Sequence, residues 1–167
     1  MNDFIFIAGA PGSGKSTVAK ALQLKLDSPL FEFGWIPEFR NTEGKEISYK
    51  EEELLAFENL VLVGKNYAKH GFKNVIITDL NNNFVQQLPE VFSKYNFVIY
   101  TLRLSDEATL KSRVLDASRS SDYRYWEKAL EINRLLQARP PFTNEKFIDV
   151  GSLTAEAVAD QIITDLQ

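Results

Sequence analysis

Short apolar runs along this chain take turns with longer stretches whose apolar residues recur every three or four positions. Within Asp3–Ala8 the run Phe4, Ile5, Phe6, Ile7 has no polar member, the pattern of a strand buried on both faces. The spacing Val18, Leu22, Leu26 predicts a helix over 15–26, stopped by Asp27, Ser28 and Pro29. Leu30–Phe33 reads as a second strand, and 34–46, which mixes Gly, Pro, Asn and charges, as a loop. Ser48 and Glu51 then form a capping box for a long helix that turns Leu54, Phe57, Val61 and Ala68 inward and stops at Gly71.

The second half repeats the alternation. Asn74–Thr78 (NVIIT) is rich in β-branched residues and predicts a central strand, with Asp79 at its end. A helix over about 84–94 and a strand over 97–104 follow, then a helix begun by Ser105 with Asp106 and Glu107 in its first turn. The polar, aperiodic stretch 117–122 (ASRSSD) reads as a loop. Helical spacing returns over 123–138 through Trp126, Leu130 and Ile132, until Pro140 and Pro141 end it. Lys146–Val150 is a last strand, and 154–166 a last helix with Val158 and Ile162 inward. Strands alternating with helices predict an α/β protein whose parallel sheet is covered on both faces by right-handed crossovers.

Length and composition narrow the function classes. A chain of 167 residues is expected to form one domain, 1–167, burying roughly 70% of the surface that its unfolded form exposes. Without cysteine it has no disulfide framework or thiolate metal site, as in a reducing compartment. A formal charge of -4 argues against a general nucleic-acid binder, because phosphate-backbone affinity needs many neutralising lysines and arginines. The apolar run near the N-terminus lacks a basic leader, and no segment approaches the ~20 apolar residues that span a bilayer. The expectation is a cytoplasmic protein that binds neither nucleic acid nor membrane.

One stretch carries chemistry directly. Residues 9–16, GAPGSGKS, satisfy the pattern GxxxxGK[ST] between a predicted strand and a predicted helix. In that setting Gly9, Pro11, Gly12, Ser13 and Gly14 let successive backbone amides curl around an anion, where larger side chains would obstruct the approach, and the helix N-terminus adds unpaired N–H groups. Lys15 is then the candidate for the β and γ phosphates of a nucleotide, Ser16 for a Mg²⁺ ion, and Thr17 for the α-phosphate. A glycine-rich turn without a ligand is the structural alternative. Asp79 ends VIITD, and parallel sheets gather the C-terminal ends of their strands around the nucleotide. There it is a candidate for holding Mg²⁺ through water or orienting an acceptor hydroxyl, the structural alternative being an Asx-turn before Asn81 and Asn82. No NKxD-like segment and no DxxG after a strand is present, which argues against a switch GTPase.

Six of the seven arginines lie between 103 and 139: Arg103, Arg113, Arg119, Arg124, Arg134 and Arg139. Phosphoryl transfer spreads negative charge over oxygens in a dry site, and planar guanidinium groups neutralise it well. Arg119 and Arg124 flank the ASRSSD loop, with Arg113 on the helix leading into it. A closing loop could therefore deliver them to bound nucleotide.

With these motifs in place the chain resembles the small P-loop kinases, a group that includes shikimate, gluconate, adenylate and antibiotic kinases. The resemblance spans GAPGSGKST, VIITD, LRLSDEATLKSR, the arginine-bearing loop and FIDVGSLTAEAVADQI, nearly the whole length. It implies a five-stranded parallel sheet in a three-layer sandwich, an ATP and Mg²⁺ site on the P-loop, a small lid at about 117–124, and phosphate transfer to a small acceptor. The acceptor side departs from the pattern. Asp79, Leu80 and Asn81 stand where shikimate kinases have a glycine run, and an adenylate-kinase-like arginine motif is missing there, so the subfamily stays open.

The acceptor is expected between the second strand and the long helix, in FEFGWIPEFR (31–40), across the crevice from the phosphate loop. Glu32 is a candidate general base, Trp35 and Phe39 candidates to enclose a substrate, Arg40 a candidate for an anionic group, and Asn81 a further contact. Trp35 and Phe39 could equally anchor the loop on the core. Glu32, Glu38, Glu43 and Glu46 lean towards a neutral or cationic hydroxyl compound. His70, the only histidine, suits a helix C-terminus rather than catalysis. Two readings follow: an ATP- and Mg²⁺-dependent kinase for a small hydroxyl-bearing or nucleotide-like molecule, or a nucleotide-binding regulator or ATPase without such an acceptor. They differ in whether ATP is consumed only when an acceptor is present.

Overall fold

The structure is a computed structural model that describes residues 1–36, 47–118 and 121–167. Among these residues five strands form one all-parallel sheet: β1 (Phe4–Gly9), β2 (Leu30–Glu32), β3 (Val75–Thr78), β4 (Phe97–Arg103) and β5 (Glu145–Asp149). Their order is β2-β3-β1-β4-β5, which puts the first strand in the middle. The helices are α1 (Lys15–Leu26), α2 (Tyr49–Lys69), α3 (Asn82–Val91), α4 (Glu107–Leu115), α5 (Trp126–Ala138) and α6 (Ala155–Asp165). The expected α/β class and five-stranded parallel sheet are thus observed. No helix among the described residues is long and apolar enough to cross a membrane.

Successive strand residues point to opposite faces, and here both faces are apolar. Ile5, Ile7, Ile76, Val98, Tyr100 and Leu102 pack with Val18 and Leu22 of α1 and Val158 and Ile162 of α6. On the other face Phe4, Phe6, Val75, Ile77, Phe97 and Ile99 meet Phe57 and Leu60 of α2 and Phe84, Val85 and Leu88 of α3. Phe92 meets Phe4 and Phe6 edge-on, with ring centroids 4.6 and 5.0 Å apart. Each fully buried side chain of this size contributes about 1.5–3 kcal/mol, so β1 and its neighbours are the least deformable part of the molecule.

Several local expectations are corrected. Along α2 the buried stripe is Phe57, Leu60 and Gly64, while Leu54 is 45% exposed. Gly64 decides this, because a Cβ there would lie only 3.1 Å from Ile77 Cδ1 and 3.3 Å from Phe4 Cε1, so the helix lies close against the sheet at that point. α3 begins at Asn82, two residues before the expected start, because the Asn81 carboxamide accepts from Phe84 N at 3.1 Å and caps it. Asp106, not Ser105, caps α4 by accepting from Ala108 N at 3.0 Å, and Ser105 Oγ donates instead to Asp149. α5 starts at Trp126 rather than at 123. The capping box of α2 is present, with Glu51 N 3.3 Å from Ser48 Oγ and Ser48 N 3.0 Å from Glu51 Oε2. His70 ends α2 as its C-cap, followed by Gly71 at φ 88°.

Two buried polar groups tie α5 and the segment after it to the sheet. Asn133, fully buried, accepts from Leu104 N at 3.1 Å and donates to Leu104 O at 2.7 Å, completing the backbone bonding just past the end of β4. Arg139 grips the buried Glu145 at the start of β5 through two hydrogen bonds of 2.7 Å. Phe142 N donates to the same carboxylate at 2.7 Å, and the Thr101 hydroxyl donates to it as well. Burial alone would push this carboxyl up, but the bonds from Arg139, Phe142 and Thr101 more than offset that and hold it below its ordinary value of 4.5.

A carboxyl held below its ordinary value contributes stability that is fully present above that value and is lost as the pH falls through the lower, folded-state value. Acid unfolding of the wild type should therefore include a Glu145 component that Glu145→Gln lacks, visible as a flatter stability-versus-pH curve below pH 4.5. At neutral pH, Arg139→Met leaves a buried carboxylate uncompensated and should cost about 3–5 kcal/mol in urea unfolding. An unchanged midpoint in Arg139→Met would contradict this assignment.

Candidate functional site

The parallel sheet brings the ends of β1, β2 and β3 to one edge, and the candidate site is built there. β1 leaves the core at Gly9, the chain turns through Ala10–Gly14, and α1 begins at Lys15. A Cβ at Gly9 would fall 2.6 Å from the backbone oxygen of Leu102 and 2.6 Å from Ser13 Oγ. Gly14, the N-cap of α1, has φ 95° and supplies no side-chain cap. The first amides of α1 therefore have no side-chain acceptor at the cap, and a Cβ at Gly14 would meet nothing within 4 Å. Ser13 Oγ is buried in this loop without a hydrogen-bond partner. Gly12 packs against α4, where a Cβ would lie 2.6 Å from Val114 Cγ2.

Lys15 and Ser16 are met by carboxylates from the neighbouring strand ends. Lys15 is 8% exposed; its Nζ donates to Ala10 O at 3.3 Å and lies 3.7 Å from Asp79 Oδ1. Ser16 Oγ donates to Glu32 Oε2 at 3.2 Å, and Glu32 Oε1 is buried with no hydrogen-bond partner. Glu32 pairs in register with Thr78, which places it beside the strand end that carries Asp79. Asp79 itself has φ 69°, a left-handed conformation that Asp tolerates better than most residues. The Thr78 hydroxyl donates to Ile7 O at 2.9 Å, tying β3 to the strand that leads into the loop.

These features fit a phosphate group and a divalent cation. A glycine-rich turn, a helix start without a side-chain cap and a buried lysine suit a phosphate tail. Among the described residues no cluster of three or more His, Cys, Asp or Glu could hold a metal by itself. A cation here would depend on the Ser16 oxygen, water and phosphate oxygens, as Mg²⁺ does when protein ligands are few.

The remaining candidate residues are placed as follows. Thr17 is exposed in the first turn of α1, and Pro11 is partly buried in the loop. Trp35 ends a 3₁₀ turn directly after Glu32 and is 55% exposed. The Asn81 carboxamide oxygen is engaged in capping α3. Arg113 Nη2 donates to Gly151 O at 3.0 Å, and Arg124 Nη1 donates to the carbonyls of Ser121 and Tyr123 in its own segment. Arg40, Phe39 and Arg119 lie outside the described residues, as do Glu38, Glu43 and Glu46. Three of the clustered arginines have structural partners: Arg103 over the Phe147 ring at 4.0 Å, Arg134 on Glu107, and Arg139 on Glu145.

Some site features had no clear signal in the sequence. The contact of Leu110 and Val114 with Gly12 joins the phosphate loop to the helix that leads into the arginine-bearing loop. The bond between Arg113 and Gly151 and the acceptance of Gly151 N by Asp149 Oδ1 at 3.1 Å set the turn after β5. An Asp two residues before a Gly at a strand end was the only pattern that could have marked that turn.

A glycine-rich strand-to-helix turn matching GxxxxGK[ST], set at the carboxyl edge of a five-stranded parallel sheet, defines the fold class of this molecule. No protein-family model and no curated protein matches the chain, but solved structures do. An unliganded sugar kinase from Janibacter sp. HTCC2649 aligns with a TM-score of 0.68 at 17% identity, over 98% of this chain and 93% of its own. The tunicamycin resistance protein of Deinococcus radiodurans aligns with a TM-score of 0.68 at 17% identity, over 98% and 94%. A deoxyadenosine kinase from M. mycoides, solved with bound dATP, aligns with a TM-score of 0.61 at 18% identity, over 98% of each chain. The chain has the P-loop kinase-like fold that these structures share.

Two glycines separate conformation from space. Gly14→Ala strains the backbone at φ 95° in an open position and should cost about 1–2 kcal/mol. Gly9→Ala adds an overlap with the Leu102 carbonyl and should cost roughly a further 1–3 kcal/mol. Urea unfolding of the two variants checks the order; equal costs would show that the β1 exit is less tightly packed than described.

Proposed function

We propose that this protein is an ATP- and Mg²⁺-dependent phosphotransferase acting on a small hydroxyl-bearing or nucleotide-like acceptor. The observation that carries the reading is the meeting of Glu32 and Asp79 with Ser16 and Lys15 at a glycine-rich loop with no side-chain helix cap. A loop that only needed to turn would gain nothing from an orphaned serine hydroxyl, a buried lysine and two strand-end carboxylates.

In this reading ATP supplies the transferable phosphoryl group and Mg²⁺ neutralises its charge. Gly9, Pro11, Gly12, Ser13 and Gly14 shape the cradle, the loop amides and Lys15 hold the β and γ oxygens, and Thr17 serves the α-phosphate. Ser16 and Asp79 organise the cation, and a carboxylate facing the acceptor, Glu32 or Asp79, takes the hydroxyl proton. Glu32, Trp35, Arg40 and Asn81 line the acceptor side. The segment at about 117–124 acts as a lid: on closing, Arg124 exchanges its bonds to its own loop carbonyls for phosphate oxygens, and Arg119 is a second lid arginine for the same charge. Arg113 supports the nucleotide from α4. Transfer then rests on positioning and charge neutralisation rather than on a covalent enzyme intermediate. The solved kinases with this fold support the reaction class, and the local chemistry supports the residue roles.

ADP release measured against nucleosides, sugars, shikimate-like acids and aminoglycosides should rise for one class and stay at background without acceptor. ATP consumption that no acceptor changes would favour the regulator or ATPase reading instead. Lys15→Ala should lower acceptor-dependent turnover by about 10²-fold or more, on the scale of removing one transition-state donor. Near-normal turnover in that variant would remove Lys15 from the reaction.

A further inference from the structure

The outer face of α2 carries a pattern that the fold of a single chain does not use. Phe57, Leu60 and Gly64 form the side of the helix that is buried on the sheet. On the opposite side Leu55 and Leu62 are 44% and 66% exposed, and Asn59, Asn66 and Lys69 are exposed with them. Together with Glu52 these residues recur at alternating intervals of three and four, the seam spacing of a coiled coil. Leucine holds one seam position and asparagine the other. Ala56 and Val63, both half-buried, border the seam and widen its apolar surface. Leucines scattered singly over a surface need no explanation, but two in register with two asparagines along one stripe make a contiguous patch of the kind that marks an interaction site.

The charges along the helix select the occupant. The first half of α2 carries Glu51, Glu52, Glu53 and Glu58 against Lys50, whereas the second half carries Lys65 and Lys69 and no acid. Two α2 helices running the same way would bring their acidic ends together. Running in opposite directions, they set each acidic half against a basic one. A twofold axis beside residues 60 and 61 then places Asn59 against the second copy's Leu62, Asn66 against its Leu55 and Glu52 against its Lys69, and symmetry repeats each contact. Glu52 Oε1 is buried without a hydrogen-bond partner in the single chain, a costly state that the carboxylate would leave by turning out to the second copy's Lys69. The asparagines cost such a seam some stability and fix its register.

We propose that this protein self-associates as a twofold dimer through an antiparallel pair of α2 helices, closed at both ends by Glu52–Lys69 pairs. The interface uses no residue of the glycine-rich loop, and it does not rest on the phosphotransferase reading.

Sedimentation equilibrium over a concentration series, without nucleotide, tests it. The wild type should approach twice the 19.0 kDa of one chain as the concentration rises. Leu62→Glu changes an exposed position and should leave the helical circular dichroism intact. It should raise the dimer dissociation constant by about 10²-fold or more, because each dimer then holds two uncompensated charges in its seam. Glu52→Lys alone and Lys69→Glu alone should each weaken the dimer by about 10-fold, through like charges at both ends. The two reversals combined should return the constant to within about threefold of the wild type, a coupling that parallel helices would not show. A wild type that stays monomeric overturns the proposal, even if another protein binds the stripe. A dimer that survives Leu62→Glu uses a different surface and overturns it as well, and a double reversal without recovery rejects the antiparallel register.

Discussion

Everything at the candidate site depends on a helix that starts without a side-chain cap at the end of a strand buried on both faces. Gly14 holds the N-cap position of α1 in a left-handed conformation and offers no side chain to the first amides. A helix start left in this state is unfavourable unless water or an anion completes it. Ser13 Oγ adds a second unsatisfied group in the same turn. The cost is borne because β1 is buried on both faces, its apolar residues packed against α1 and α6 on one side and α2 and α3 on the other.

Strand order converts that cradle into a site. Because β3 lies beside β1 and β2 beside β3, the two strands that end in carboxylates stop on the same side of the phosphate loop. Lys15, nearly buried, meets Asp79 there and its charge is partly balanced, which makes its burial tolerable. Ser16 is similarly held by Glu32. Charge balance with few fixed ligands leaves the site dependent on what binds it, which suits a cation carried in with phosphate oxygens better than a resident metal.

The arginines divide along physical lines that charge counting does not reveal. Arg139 is enclosed by Phe142 and Phe147 and held by Glu145, so it works as a structural pin. Arg134 joins α5 to α4 through Glu107, and Arg103 stacks on Phe147. Arg113 reaches the turn after β5 from the helix that also touches Gly12. The glycine-rich loop, α4 and that turn therefore form one contiguous packed unit.

The sequence by itself determined the alternation of elements, the fold class, the glycine-rich turn between β1 and α1 and the capping box at Ser48 and Glu51, because each rests on local periodicity or on side chains bonding within a few residues. Expectations went astray where a contact outside the pattern decided them: Gly64 drawing α2 onto Ile77 and Phe4, and Asp106 displacing Ser105 as a cap. Glu32 and Asp79 were legible as strand-end carboxylates, but not which of them meets Ser16 and which Lys15. Only the tertiary structure decided that pairing, since it depends on parallel register between β2 and β3 and on the angle at which α1 leaves β1. Such contacts join residues 16 and 64 positions apart, and no local pattern encodes them.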